Sequence, residues 1–240
     1  MKKDFDEIEV ETEVRGLEGF EAEYDNYAAD CKAALRIALT NIRNLEERLD
    51  RAEYYNPFTD ATIDSRIKTF KSAKNKCTER GYETSIDGIK NNMKDIAGIR
   101  IVVQYVDDIQ AVVDMLQLTQ GINIVEIKDY VKKPKENGYS GVHLICQVQI
   151  SNLRGGSQLI PIEIQIRTHA MNLWAEYEHT FKYKSPVSVP DADANFKVAA
   201  EFVKNFDQKM TEMRRILADA TNATIADKIT AEVTAEVEEI

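Results

Sequence analysis

The sequence is poor in cysteine and proline, has no long apolar run, and lacks the common nucleotide-binding signatures. Its three cysteines, Cys31, Cys77 and Cys146, are widely spaced and form no CxxC pair. Such spacing reads as reduced, buried thiols of a cytosolic protein. No stretch is apolar and long enough to cross a bilayer, and no early apolar run resembles a signal peptide, so the cytoplasm is the expected compartment. GxxxxGK[ST] and GxGxxG are both missing, which leaves neither a P-loop nor a dinucleotide fingerprint. The three histidines, His143, His169 and His179, provide no HExxH and no His-Asp dipeptide, a poor basis for a zinc or His-Asp hydrolase site. GxSxG is absent as well, and no fixed-period repeat is present.

What is there is an ordinary globular balance: 240 residues, 43% hydrophobic and 30% charged. That length suits one domain with helical extensions, or at most two domains. The formal net charge of −10 argues against broad binding to nucleic acid while leaving room for a local basic cleft. The charge is unevenly spread. Residues 1–30 hold eleven Asp or Glu against three Lys or Arg, whereas 66–80 holds Arg66, Lys68, Lys71, Lys74, Lys76 and Arg80 against Glu79 alone.

Residues 1–23 are acidic with little periodicity and read as a solvated tail. Over 24–55 the apolar positions Cys31, Leu35, Ala38, Ile42, Leu45, Leu49 and Ala52 recur at helical spacing, and Asn56-Pro57 ends the pattern. A second helix is expected over about 62–80, with Ile63, Ile67, Phe70, Ala73 and Cys77 buried and Gly81 as its stop. Ile99–Tyr105 is a β-branched run typical of a buried strand. Asp107-Asp108 then caps a helix carrying Val112, Val113, Leu116 and Leu118. Ile122–Val131, Val142–Ile150 and Leu159–Ile166 are strand-like, the last two joined by a hairpin turn at 152–156. A helix is expected from Thr168 to about Lys184, with a boundary at Pro186 and Pro190. Another helix starts at Asp191, with Phe196, Ala199, Val203, Phe206, Met210, Met213 and Leu217 along one stripe, and a weak helix or loose tail runs on to Ile240. A hairpin following a β-α-β unit implies a mixed sheet in an α+β domain.

Three features could carry chemistry. The basic stretch from Arg66 through Lys68 to Lys76 reads as a solvated charged face or as a triphosphate grip, since guanidinium forks hold phosphate oxygens and lysine acts as a mobile point charge. Asp95-Ile96-Ala97-Gly98-Ile99-Arg100 offers a turn carboxylate and a surface cation, or a magnesium ligand and a nucleotide contact. The third is the segment 132–179. It holds a basic, turn-forming loop, Lys132-Lys133-Pro134-Lys135-Glu136-Asn137-Gly138-Tyr139-Ser140-Gly141-Val142-His143, that presents one aromatic ring. Beyond it lies Glu163-Ile164-Gln165-Ile166-Arg167-Thr168. Strand side chains alternate faces, so Glu163, Gln165 and Arg167 point the same way. Tyr139 and His143, taken singly, read as a core aromatic and a satisfied strand histidine. A carboxylate inside an apolar strand costs several kcal/mol, roughly, unless paired or metal-bound. Glu163 therefore faces solvent on an edge strand, pairs with Arg167, or belongs to a site for a polyanion and a metal.

Five blocks together resemble the synthetase domain of the RelA/SpoT family. They are Ser65-Arg66-Ile67-Lys68, Asp95 to Arg100, Lys128 to His143, Glu163 to Thr168, and Met171 to His179 with Trp174 and Glu178. They occur in order over about 56–184. The length is similar to that of the single-domain small alarmone synthetases. The resemblance implies a nucleotidyltransferase-like synthetase fold: a mixed sheet of about five strands at 56–185, an N-terminal helix at 24–55 and a C-terminal helical extension at 186–240. It implies a GTP/GDP diphosphokinase of the stringent response, which moves the β,γ-pyrophosphate of ATP to the ribose 3′-hydroxyl of GDP or GTP, with GMP as a further acceptor to test, and which uses Mg2+. By position, Arg66, Lys68, Lys76 and Arg100 are its ATP contacts. Asp95 and Glu163 are its magnesium carboxylates, with Glu163 near enough to deprotonate the 3′-hydroxyl. Tyr139 is the ring that stacks on guanine, and Lys135, Asn137, His143 and Gln165 are its other acceptor contacts. The terminal helices of the family build tetramers, so a homotetramer is expected.

The sequence departs from the family at Ser140-Gly141, where Arg-Ser usually follows the tyrosine. That leaves open the toxic relatives that pyrophosphorylate the tRNA 3′ end or make adenosine alarmones. The acidic total argues against tRNA, and Tyr139 argues for guanine. A non-catalytic nucleotide or RNA sensor is a third reading, against which both Asp95 and Glu163 count.

Overall fold

In the computed structural model the backbone is described for residues 5–52, 55–151, 155–184 and 191–238, and side chains for 19–52, 55–151, 155–181 and 191–222. The elements in chain order are α1 (Phe5–Arg51), β1 (Thr62–Ile67), α2 (Phe70–Arg80), α3 (Ile86–Asn92), β2 (Ala97–Val103), α4 (Val106–Gln117), β3 (Asn123–Asp129), β4 (Val142–Ser151), β5 (Ser157–Thr168), α5 (His169–Lys184) and α6 (Ala192–Glu238). The strands form one five-stranded sheet in the order β1-β2-β5-β4-β3. β2 and β5 run parallel, and the other neighbours are antiparallel. The fold is therefore α+β with a mixed sheet.

β5 shows why the sheet has two different faces. Ile162, Ile164 and Ile166 are fully buried, while Glu163, Gln165 and Arg167 alternate with them, as a period of two requires. The apolar face continues through Ala97, Ile99 and Ile101 of β2 and Leu144, Cys146 and Val148 of β4. Each fully buried isoleucine there contributes roughly 1.5–3 kcal/mol of burial free energy. Helix α1 packs on β2, β4 and β5. Its Cys31, Ala34 and Ala38 have no exposed surface, and these small side chains let the helix lie close to the strands. Ile109, Val112 and Leu116 of α4 complete the same core.

Four expectations are corrected. From Phe5 onward the acidic segment expected as a tail belongs to helix α1. Its glutamates are good helix formers, and Phe20 and Tyr24 pack on Phe70 with ring centroids 5.0 and 5.5 Å apart. The expected helix over 62–80 is split into strand β1 and helix α2. Thr62-Ile63 favours a strand, and Thr69 caps α2 by accepting from the Ser72 N–H. Asp108 rather than Asp107 serves the start of α4, by accepting from the Tyr105 N–H at 3.0 Å. Leu118, placed on the buried face of α4, is exposed, since the helix ends at Gln117. Helix α3 had no counterpart in the sequence reading. Pro186 and Pro190 lie outside the described residues, as do 152–154 of the hairpin turn.

Helix α6 is tied to the domain by polar contacts as well as by Phe196 and Val203 of its stripe. Thr168 Oγ1 donates to Asp207 Oδ2 at 2.7 Å, and Arg214 and Arg215 each reach an aspartate of α4, Asp108 and Asp107, at 2.6 Å. Trp174 of α5 donates its indole N–H to the Phe196 carbonyl at 3.0 Å. Phe202, Phe206, Met213 and Leu217 of α6 remain exposed.

Candidate active site

The polar face of the sheet is built by register. Asp64 of β1 is paired with Arg100 of β2, Arg100 with Gln165 of β5, and Gln165 with His143 of β4. One residue pair along, Arg66, Gly98 and Glu163 are in line. Cross-strand partners share a face, so two rows of polar side chains meet over the middle of the sheet. A cavity of about 240 Å³ opens there, lined by Asp64, Arg66, Asp95, Arg100, Glu163 and Gln165 among others. The structure thus brings Arg66, Arg100, Asp95 and Glu163 together around one cavity.

Lys68 and Lys76 reach this cavity indirectly. Lys68 follows β1 and Lys76 is on α2, yet both stand on Asp95 Oδ2, at 3.0 and 2.8 Å. The Tyr24 hydroxyl of α1 fixes the Lys68 segment by donating to its carbonyl at 2.5 Å. Burial alone would raise the Asp95 carboxyl, but the Lys76 hydrogen bond and the charges of both lysines outweigh it and hold the group below the usual carboxylate range. Among the described residues, two buried side-chain atoms have no hydrogen-bond partner, Asp95 Oδ1 and Arg100 Nε. Both border the cavity. A buried unsatisfied group costs about 1–3 kcal/mol, more when charged, so an acceptor and a donor are each left ready for a ligand. Burial, with Arg167 and Arg66 close by, also pulls Arg100 below its ordinary value. That crowding of guanidinium groups is a standing demand for an anion.

Glu163 is neither on an edge strand nor paired with Arg167. β5 is the middle strand, and Glu163 is held by His143 Nδ1 at 3.0 Å and by Gln165 Nε2 at 2.6 Å. These bonds and the His143 charge more than offset its burial, so the carboxyl lies below its ordinary value.

The acceptor residues expected from the sequence are together as well, but they are engaged with one another. The Tyr139 hydroxyl lies 2.5 Å from His143 Nε2 and accepts from Arg167 Nε at 3.0 Å. Arg167 Nη2 donates to Gln165 Oε1 at 2.7 Å. Tyr139 is therefore not the presented ring that the loop suggested: it is 8% exposed, with Lys135 Nζ and the Arg167 guanidinium 4.8 and 4.9 Å from its centroid. Asn137 shapes the loop, accepting from the Tyr139 N–H at 3.2 Å and donating to Glu178 of α5 at 3.0 Å.

Sequence reasoning missed three members of this site, Asp64, Asn172 and Glu176. The signal for Asp64 is the alternation Asp64-Ser65-Arg66, which a helical reading hides. Arg167, which alternation places on the face of Glu163 and Gln165 without a role of its own, is the hub of the acceptor side. Asn172 and Glu176, one helical turn apart on α5, extend from Arg167 to Arg100, with Arg167 Nη1 3.5 Å from Asn172 Oδ1 and Arg100 Nη1 3.7 Å from Glu176 Oε1.

The mixed five-stranded sheet flanked by helices is an α+β fold that solved structures share. A GTP pyrophosphokinase family protein from Streptococcus pneumoniae superposes with a TM-score of 0.72 at 28% identity, covering 82% of this chain and 96% of that one. Small alarmone synthetase 1 from Bacillus subtilis, solved bound to its product pppGpp, gives 0.71 at 28% identity over 80% and 96%. The chain belongs to the RelA/SpoT family: the profile described as a region found in RelA / SpoT proteins matches residues 65–188. Two Bacillus subtilis relatives are the GTP pyrophosphokinases YwaC, 35% identical over 77% of this chain and 87% of its own, and YjbM, 34% identical over 79% and 86%.

Proposed function

We propose that the chain is a small alarmone synthetase, which transfers the β,γ-pyrophosphate of ATP to the ribose 3′-hydroxyl of GDP or GTP and so makes ppGpp or pppGpp. The observation that carries this reading is the shared cavity: Glu163, fixed on the middle strand, faces the same space as Asp95, Arg66 and Arg100. Relatives at 34–35% identity that bear the name GTP pyrophosphokinase support it, as does a structural neighbour that holds pppGpp.

Pyrophosphoryl transfer requires alignment of two nucleotides and neutralisation of developing charge. Arg66 and Arg100 grip the ATP phosphates, Arg100 with a buried N–H that has no other partner. Lys68 and Lys76 stand beside them on Asp95. Glu163 takes the proton of the 3′-hydroxyl as O3′ bonds to the β-phosphorus of ATP. The bond from that phosphorus to the α,β-bridging oxygen breaks, and AMP leaves with that oxygen. Such a base accelerates transfer by about a hundred- to ten-thousand-fold. Tyr139 stacks on the guanine, and Lys135, Asn137, His143 and Gln165 line the acceptor side.

Magnesium fits the donor set. It commonly takes one or two carboxylates plus substrate phosphates, and Asp95 offers a buried oxygen without a partner. Asp95 would hold the ion with Glu163, and the ion would supply charge neutralisation at the phosphates.

Among the described residues no helix is long and apolar enough to cross a membrane, and the reading places the enzyme in the cytoplasm. The exposed apolar face of α6 supports assembly through the terminal helices, with a homotetramer as the proposed state. The test is incubation of purified protein with ATP, Mg2+ and, separately, GMP, GDP, GTP, ADP and tRNA. A guanosine 3′-pyrophosphate is expected, whereas product from tRNA or ADP alone overturns the reading.

A further inference from the structure

The hydrogen bonds of the acceptor side close on themselves. Arg167 Nε donates to the Tyr139 hydroxyl, which meets His143 Nε2. His143 Nδ1 meets Glu163 Oε1, and Gln165 Nε2 donates to Glu163 Oε2. Arg167 Nη2 returns to Gln165 Oε1. Arginine can only donate, so the Tyr139 hydroxyl oxygen accepts from Arg167 Nε, and the same hydroxyl lies within hydrogen-bond distance of His143 Nε2 while His143 Nδ1 lies 3.0 Å from Glu163 Oε1. Five side chains assigned above to base and acceptor work thereby satisfy one another, and the Tyr139 ring is buried under Lys135 and Arg167.

One backbone position makes the ring sterically available. Gly141 has φ +142°, a conformation that side-chain-bearing residues rarely adopt. A Cβ placed there would meet Arg167 Cγ and the Ile166 carbonyl oxygen at 3.1 Å and the Tyr139 hydroxyl at 3.4 Å. The Ile166 carbonyl belongs to the middle strand, opposite Val142, and cannot give way cheaply. Any larger residue is therefore strained by the backbone angle and crowds the Arg167 side chain, whose guanidinium holds the Tyr139 hydroxyl. This is also a position at which the sequence departs from its family.

We propose that Gly141 is an acceptor-affinity determinant: it lets Tyr139 latch onto Arg167 and His143, so that a guanine nucleotide binds only after the latch opens. The proposal rests on the reading of Tyr139 as the guanine platform. Acceptor binding then exchanges the two bonds of the hydroxyl for stacking, and frees Arg167 and His143 toward the nucleotide. Because the apparent dissociation constant is divided by the fraction of open protein, the closed ring weakens acceptor binding without weakening ATP binding.

The experiment is steady-state kinetics with GDP varied at saturating ATP and Mg2+, joined to hydrogen exchange over 130–143 without nucleotide. Tyr139→Phe keeps the stacking ring and removes the latch. It leaves His143 Nε2 and Arg167 Nε unpaired in the closed form, so the KM for GDP falls roughly tenfold. Tyr139→Ala, which loses the platform, raises it. Gly141→Ala lowers the KM for GDP in the same direction, leaves the KM for ATP unmoved, and speeds exchange of the Lys135 and Gly138 amides that close the loop. If Gly141→Ala does not fold, Tyr139→Phe decides alone. A Tyr139→Phe enzyme whose KM for GDP equals or exceeds that of a working wild type overturns the latch and leaves the synthetase reading standing. A wild type that makes no guanosine 3′-pyrophosphate removes both.

Discussion

Lys76 Nζ stands 2.8 Å from Asp95 Oδ2, and the other oxygen of that carboxylate is buried without a partner. With Lys68 on the same Oδ2 at 3.0 Å, one oxygen serves two ammonium groups and its twin serves none. This asymmetry suits a carboxylate that is oriented by lysines on one side and offers a cation site on the other.

Asp95→Asn keeps the shape and removes the charge. Turnover with ATP and GDP is expected to fall by about a hundred-fold or more, the scale of losing a preorganised electrostatic group, and more magnesium is needed for what remains. A magnesium titration of turnover checks this, with circular dichroism to confirm the fold. Near-normal turnover at ordinary magnesium would remove Asp95 from the site.

Burial raises the Glu163 carboxyl, and His143 is the foremost influence that reverses this. In His143→Gln the carboxyl moves up again, so the base is lost at a higher pH as the solution is acidified. The acid limb of kcat/KM for GDP therefore shifts upward. The stability linked to Glu163 follows the same sign: it is present above the ordinary carboxylate range and lost as pH falls through the lowered native value. A variant with an unmoved acid limb would show that His143 does not tune the base.

The Thr168–Asp207 bond ties α6 to the end of β5. Burial pushes the Asp207 carboxyl from its ordinary 3.8 up to about 6. A raised native value means that stability is fully present below the unfolded value and is lost as pH rises through the native one. Wild type should therefore lose stability relative to Asp207→Asn between about pH 4 and pH 6, with a constant difference above that. Thermal melts of both proteins across pH 4–8 check it, and a pH-independent difference would contradict it.

The fold was legible wherever period and breakers agreed. β2, β4, β5 and the buried stripe of α1 follow from β-branched alternation and from Cys31, Leu35, Ala38 and Ile42 at helical spacing. β1 was not legible, because Ile63, Ile67 and Phe70 fit a helical stripe by accident across a strand and a cap. The acidic start of α1 misled because charge says little about backbone state when the residues are glutamates. At the site, residue types and the order of the blocks pointed to Glu163, Asp95, Arg66 and Arg100. Alternation puts Arg167 on the polar face, but its role as a hub was not legible, since it comes from contacts with Tyr139 in the loop and Asn172 on α5 as well as with Gln165 of its own strand. The burial of Tyr139 comes from Lys135 and Arg167 lying over its ring, contacts that composition does not reveal.

Phe202 and Phe206 are 70% and 55% exposed on α6. The proposed homotetramer would cover such an apolar face. Phe202→Glu combined with Phe206→Glu is expected to lower the mass seen by light scattering from four chains to fewer, while the monomer stays folded. A wild type that is already monomeric at working concentration would reject the assembly.

In the proposed reaction Glu163 removes the proton of the acceptor's 3′-hydroxyl during pyrophosphate transfer from ATP. Formation of ppGpp from ATP and GDP with Mg2+, compared between wild type and Glu163→Gln at equal folding, tests this role. The wild type is expected to form product and the variant to lose at least about a hundred-fold in rate. Product at the wild-type rate from Glu163→Gln would exclude Glu163 as the base.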